Sequence, residues 1–257
     1  CWRCRIHRHL YYCLRRAMSM MLKYKAVSNV GCVRANNEDM GYAFGKLVRD
    51  TLAEGCCEPP SAFAVADGMG GYEGGEIASE ITVRSFAQAL PAIFGLSSED
   101  EVIAALKNWA KTANRLVLDT GELRTELREM GTTFAGLIFT GGLLYMINIG
   151  DSRCYRLRND VMKQMSTDHS ERERTGNDAI ASNVIYNYIG NTPSDFFSDV
   201  TVLTPIAGDI YLLCSDGLSD MLSEEEIEAN FLDAESLVNL ALKAGGRDNV
   251  TAITVEV

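Results

Sequence analysis

Residues 132–160 read TTFAGLIFTGGLLYMINIGDSRCYRLRND, two runs rich in β-branched and aromatic residues on either side of Gly141-Gly142. Glycine takes the positive φ of a tight hairpin turn without steric cost, so this pair turns the chain back on itself and commits it to antiparallel pairing. Alternation marks further strands at 22–28 (LKYKAVS) and 61–66 (SAFAVA). Two more are expected at 209–214 (DIYLLC) and 250–257 (VTAITVEV). Helical periodicity covers 75–90, with Pro91 expected as its stop. It returns at 99–118, where Val102, Leu106, Trp109, Ala113 and Leu116 recur at three- and four-residue steps. SEEEIEANF opens on Ser223 as an N-cap with acids in the first turn, and a last helix over 234–244 ends at Gly245-Gly246. Strands joined as hairpins, with helices in pairs between them, predict an α+β chain of antiparallel sheets covered by helices rather than a Rossmann alternation.

The balance of 24 basic against 35 acidic residues gives a net charge of −11. That excludes nonspecific binding to nucleic acid or to an anionic membrane as the main task. No run approaches the roughly 20 apolar residues of a membrane span. Residues 1–17, CWRCRIHRHLYYCLRRA, stand apart: five arginines, no acids and three of the eight cysteines. Cys1, Cys4, His7, His9 and Cys13 are zinc-type donors, but their spacing matches no finger signature. The preferred expectation is an artefactual leader over 1–20, with the start at Met18, Met20 or Met21 and a single domain over 21–257. Cys32, Cys56, Cys57, Cys154 and Cys214 show no framework spacing and read as free thiols of a cytoplasmic protein.

Acidic residues gather at strand ends. In FAVADGMGG the apolar run ends on Asp67, and Gly68 lets the backbone approach whatever Asp67 binds. IYLLCSDGLSD repeats the pattern at Asp216-Gly217; Asp248 stands just before a strand in GGRDNVTAITVEV, and Glu38-Asp39 lead into another apolar segment. Asp-Gly alone is ordinary turn chemistry. Four such sites in an acidic chain point instead to carboxylates gathered around a divalent cation. Oxygen-only donors suit Mg²⁺ or Mn²⁺ rather than zinc, and His169 is the sole histidine outside the leader.

VRANNED, DGMGG, GEIAS, MGTT, NIGDSR, TDHS, CSDGLSD and GGRDNVT follow one another in that order. This succession resembles the metal-dependent protein phosphatases, the type 2C serine/threonine phosphatases, and especially their bacterial branch. The resemblance runs from about residue 22 to the C-terminus. It implies a four-layer α-β-β-α sandwich, two central antiparallel sheets flanked by helices, with two Mn²⁺ or Mg²⁺ ions at one edge. It implies that Asp67 bridges both metals and the Gly68 carbonyl binds one. Asp216 and Asp248 complete the other shell, and Asp39 acts mostly through bound water, with Glu38 beside it. Arg34 matches the arginine that holds the substrate phosphate, where its planar fork makes bidentate contacts. The implied reaction is direct attack of a metal-bridging hydroxide on a phosphoserine or phosphothreonine, without a phosphoenzyme. Asp151, Ser152 and Arg153 are read as bracing, and Thr132 and Thr133 as structural.

The match departs in places. Animal members carry a histidine general acid where Met69 stands. Only Glu171–Ser182 separate DHS from NVIYNYIG, a short flap, and Asn187 replaces a usual arginine. Arg172 and Arg174 are candidates to supply phosphate-facing charge instead. Glu126, then Glu129, are the candidates for a third, weakly bound metal, though a surface acid is the preferred reading. The implied partners are phosphorylated proteins, substrates of a eukaryotic-like Ser/Thr kinase, with a monomer, no nucleic acid and no membrane. Two alternatives stay open: a phosphatase-like regulatory binding module without catalysis, and a phosphatase of small phosphate esters.

Overall fold

The structure, a computed structural model, describes residues 20–70, 73–181 and 183–257. The leader expected over 1–20, with its cysteines and histidines, lies outside them except for Met20. In chain order the strands are β1 (Leu22–Asn29), β2 (Met40–Ala43), β3 (Lys46–Val48), β4 (Leu52–Cys57), β5 (Ser61–Ala66), β6 (Gly68–Met69), β7 (Gly131–Thr132), β8 (Phe134–Thr140), β9 (Leu143–Ile149), β10 (Arg153–Arg158), β11 (Val161–Gln164), β12 (Asp199–Leu203), β13 (Ile210–Cys214) and β14 (Val250–Glu256). The helices are α1 (Gly74–Phe94), α2 (Glu99–Leu123), α3 (Glu171–Thr175), α4 (Asp216–Ser219), α5 (Glu224–Ala229) and α6 (Ala234–Lys243).

Two six-stranded sheets form, ordered β11-β10-β13-β14-β1-β4 and β12-β9-β8-β5-β2-β3. All their pairings are antiparallel. Gly141 and Gly142 adopt φ of +62° and +82°, the turn that the β8–β9 hairpin requires. Beyond Gly150 the chain crosses from the second sheet to the first, so β9 and β10 are not neighbours.

Side-chain alternation sorts each central strand into two cores. On β5, Ala62, Ala64 and Ala66 face α1 and α2, while Phe63 and Val65 fill the space between the sheets. On β13, Tyr211 and Leu213 face the other sheet, while Leu212 and Cys214 face the helices α4–α6. Three apolar cores separate four layers, the α-β-β-α sandwich. Fully burying each large side chain contributes roughly 1.5–3 kcal/mol.

Two boundaries differ from expectation. α1 continues through Pro91 to Phe94. Proline in the last turn removes a single helical hydrogen bond, and buried Leu90 and Ile93 keep that turn packed on the core. α2 extends to Leu123. Its start is fixed by a capping box in which Ser98 and Glu101 satisfy each other's backbone N–H groups. Ser223 caps α5 in the same way, as expected.

Candidate active site

Antiparallel pairing sets the start of one strand beside the end of its neighbour. Met40 on β2 pairs with Ala66 on β5, so Asp39 and Asp67 are the next residues out at the same sheet end. Cys214 on β13 pairs with Ala252 on β14, which brings Asp216 and Asp248 together in the other sheet. β14 packs across β2 and β5, and the four acids meet at one edge of the sandwich.

Asp67 is held by its backbone and Asp39 by its side chain. The Asp67 carbonyl accepts from Thr132 Oγ1 at 2.8 Å and from Thr133 N–H at 2.9 Å, and its own N–H donates to Thr133 Oγ1 at 3.0 Å. Thr132 and Thr133 are therefore structural, as expected. Asp39 is fully buried: Ser215 Oγ donates to its Oδ2 at 2.8 Å, and its Oδ1 has no hydrogen-bond partner. Gly68 lies so close to the chain that a Cβ there would stand 2.1 Å from the Gly75 carbonyl oxygen and 2.6 Å from that of Glu38.

A cavity of about 240 Å³ opens at this edge, lined by Arg34, Glu38, Asp67, Gly68, Asp151, Asp216 and Asp248 among others. Asp39 lies beneath it. Arg34, half exposed on the rim, donates from Nη2 to Asp248 Oδ2 at 2.6 Å. Burial, then the surrounding carboxylates, push Asp39 up to about 7 and Asp151 up to about 8. Burial likewise pushes Asp216 up to about 6, although Asp67 donates it a hydrogen bond. Asp67 is held well above the carboxylate range by burial and by Asp39 and Asp216. Protons shared among crowded acids are the expected response to like charges at close range.

Among the described residues no three acidic, histidine or cysteine side chains surround one point in ligating geometry. The carboxylates are paired off instead: Asp67 with Asp216, Asp248 with Arg34, Asp39 with Ser215. The donor set nevertheless fits a hard divalent cation. It is all oxygen, it repels itself, and it includes the orphaned Asp39 Oδ1. A larger depression of about 520 Å³ on the outer face of the first sheet lacks this character, since its Lys25 is already paired with Glu54, Asp233 and Glu235.

The Protein phosphatase 2C family pattern matches residues 45–247. The chain belongs to the protein phosphatase 2C family. Within that family it is 33% identical over 258 residues to the serine/threonine protein phosphatase PstP of Mycobacterium tuberculosis, covering 93% of this chain but only 46% of PstP. It is 32% identical over 243 residues to the serine/threonine phosphatase Stp of Listeria innocua, covering 88% of this chain and 92% of Stp. Its fold superposes on the catalytic domain of PstP in complex with two manganese ions with a TM-score of 0.77 at 32% identity, covering 92% of this chain and 98% of that one. The chain thus spans about half of PstP and nearly all of the Listeria protein.

Other family positions fall outside the cavity. Glu126 pairs with Arg124 at 3.0 Å on the surface, and Glu129 is exposed. Asn187, where an arginine is usual, is fully buried. It exchanges hydrogen bonds with the Phe197 backbone at 3.0 and 3.2 Å and meets His169 Nδ1 at 2.7 Å. That nitrogen also accepts from Gly150 N–H at 3.1 Å, so the ring proton sits on Nε2, facing Asp199. Arg174 pairs with Glu171 and lies over the Tyr186 ring.

Sequence reasoning missed Asn249. Its Oδ1 accepts from Glu38 N–H at 2.8 Å, and its Nδ2 donates to the Val30 and Asn36 carbonyls, both at 2.9 Å. One amide thus ties the loop carrying Arg34 and Glu38 to the residue after Asp248. Arg49 was missed too: it bonds the Asp39 carbonyl at 2.9 Å and Glu76 at 2.8 Å, joining Asp39 to α1. The only sequence signal was an asparagine immediately after Asp248.

Proposed function

We propose that the chain is a Mn²⁺- or Mg²⁺-dependent protein phosphatase acting on phosphoserine and phosphothreonine. The observation that carries this reading is the cluster of Asp67, Asp216 and Asp248 lining a cavity, with Asp39 beneath it and Arg34 on its rim. Its relatives' names and the manganese ions of the PstP catalytic domain support it. A catalytically dead module is less well supported, because all four aspartates and Arg34 are present.

Asp67, the Gly68 carbonyl, Asp216 and Asp248 would hold the cations, with Asp39 contributing through water. When bound, the cations supply Lewis acidity and neutralise charge at a phosphoryl group. Arg34 spends one N–H of its five on Asp248, which leaves a fork to grip phosphate oxygens. No cysteine or histidine lines the described cavity, and Thr133 Oγ1 is engaged by Ser152 at 2.6 Å. Cys154 and Cys214 are fully buried, and burial pushes the Cys214 thiol up to about 12. Water is the nucleophile in this reading, as the resemblance to the type 2C phosphatases implies. Met69 supplies no proton to the departing alkoxide. The free thiols of the described residues support a reducing, cytoplasmic setting. The proposed substrates are phosphoproteins made by a Ser/Thr kinase, and the proposed state is a monomer.

Steady-state kinetics on a phosphothreonine peptide and a small aryl phosphate test the assignment. Arg34→Ala lowers kcat/KM on the peptide by about 10- to 100-fold, the worth of a charge-assisted phosphate contact, and Arg34→Lys restores only part. Turnover of the aryl phosphate with none of the peptide overturns the protein-phosphatase reading.

A further inference from the structure

Beyond Asp216 and Asp248 lies a second cavity of about 340 Å³, lined by Arg172, Gly217, Asp220, Met221 and Arg247. Both cavities use Asp216 and Asp248 as walls, so they adjoin. We propose that Arg172 and Arg247 form a specificity subsite that binds an anionic side chain, carboxylate or second phosphate, close in sequence to the phosphoresidue being hydrolysed. The inference rests on the phosphatase reading above.

The two arginines come from different segments, α3 in the short flap and the turn before β14. Both are exposed, as a protein-sized substrate demands. Exposed arginines are ordinarily just solvated, but Arg172 is anchored. Its Nε donates to the Ile180 carbonyl at 2.8 Å and its Nη2 to that of Asp178 at 3.2 Å, which fixes the guanidinium and leaves other N–H groups for a ligand. Of the cavity's three acids, Asp216 and Asp248 belong to the proposed cation centre, where bound cations would offset their charge, which leaves Asp220 against the two guanidinium groups. The two cavities share the Asp216–Asp248 wall and an extended peptide advances about 3.3–3.6 Å per residue, so a substrate phosphate in the first lets a residue close in sequence reach the second. Guanidinium forks accept carboxylate and phosphate alike.

The test uses the full chain with Mn²⁺ and one phosphothreonine peptide carrying alanine, glutamate or phosphoserine at each nearby position. Turnover is followed as kcat and KM, and binding as fluorescence anisotropy of the thiophosphothreonine versions. The wild type favours the anionic peptides by about five- to tenfold, through KM, and salt weakens the preference. In Arg172→Ala/Arg247→Ala that ratio falls towards one, whereas Arg247→Lys keeps part of it. Preference for glutamate as strong as for phosphoserine identifies a carboxylate reader; preference for phosphoserine alone identifies a second-phosphate reader. Equal affinity and kcat/KM for alanine and anionic peptides, or a preference unchanged in the double variant, overturns the subsite. Discrimination in anisotropy without hydrolysis of any peptide sinks the phosphatase reading and leaves the subsite standing.

Discussion

Asp67→Ala remains folded and loses at least about 10³-fold of its Mn²⁺-dependent turnover, roughly 4 kcal/mol of transition-state stabilisation. Asp67 sits among Asp39, Asp151 and Asp216, and its carboxyl is held well above the usual range by burial and by those neighbours. Crowding of this kind costs folding energy, so removing one carboxylate leaves stability unchanged or raises it by about 1–2 kcal/mol. The strand end itself is secured by backbone bonds to Thr132 and Thr133, which alanine retains. Kinetics, a thermal melt and a calorimetric Mn²⁺ titration separate the effects: activity and at least one ion are lost while Tm holds. Full metal-dependent turnover in the variant would refute the assignment of Asp67.

Gly68→Ala damages fold and function together. The added Cβ meets backbone from two directions, 2.1 Å from the Gly75 carbonyl oxygen and 2.6 Å from that of Glu38. Neither can step aside as a flexible side chain could, so β6, the start of α1 or the loop carrying Glu38 must move. Overpacking of this kind costs about 3 kcal/mol, which lowers Tm by about 6–12 °C in a domain of this size. The displaced strand end also carries Asp67 off position, and turnover falls by about 100-fold or more. Gly95→Ala is the control: its φ is −80° and its nearest neighbour lies at 3.4 Å, an ordinary contact, so Tm is nearly unchanged. Equal melting of the Gly68 variant and wild type would mean that the close approach of β6, α1 and Glu38 is not real.

The parts of the fold legible in the sequence were those where local chemistry and tertiary packing agree. Gly141-Gly142 announced the β8–β9 hairpin, and Ser223 announced α5. β5 was read from alternation, although both of its faces are buried. The short strands β2 and β3 and the edge strand β12 gave no comparable pattern, because three to five residues carry too few alternations. Pro91 misled because the rule describes helix interiors, and here the proline stands in a final turn fastened by Ile93.

The acids of the site were legible because each ends or begins an apolar run. What joins them was not. Asn249 and Arg49 act on backbone carbonyls and N–H groups far away in sequence, and such contacts leave no spacing to read. Asn187 carried a signal only as a departure from the usual arginine. The structure gives that residue a packing role against Phe197 and His169.

The central claim is that the strand-end carboxylates become catalytic by holding divalent cations. The most direct measurement is phosphate release from a phosphothreonine peptide by the wild-type chain as Mn²⁺ is added, withdrawn with a chelator and restored. Release that rises with Mn²⁺, stops on chelation and returns on replenishment is the predicted result. Release undiminished by complete chelation, or none from the folded chain in saturating Mn²⁺, would contradict it.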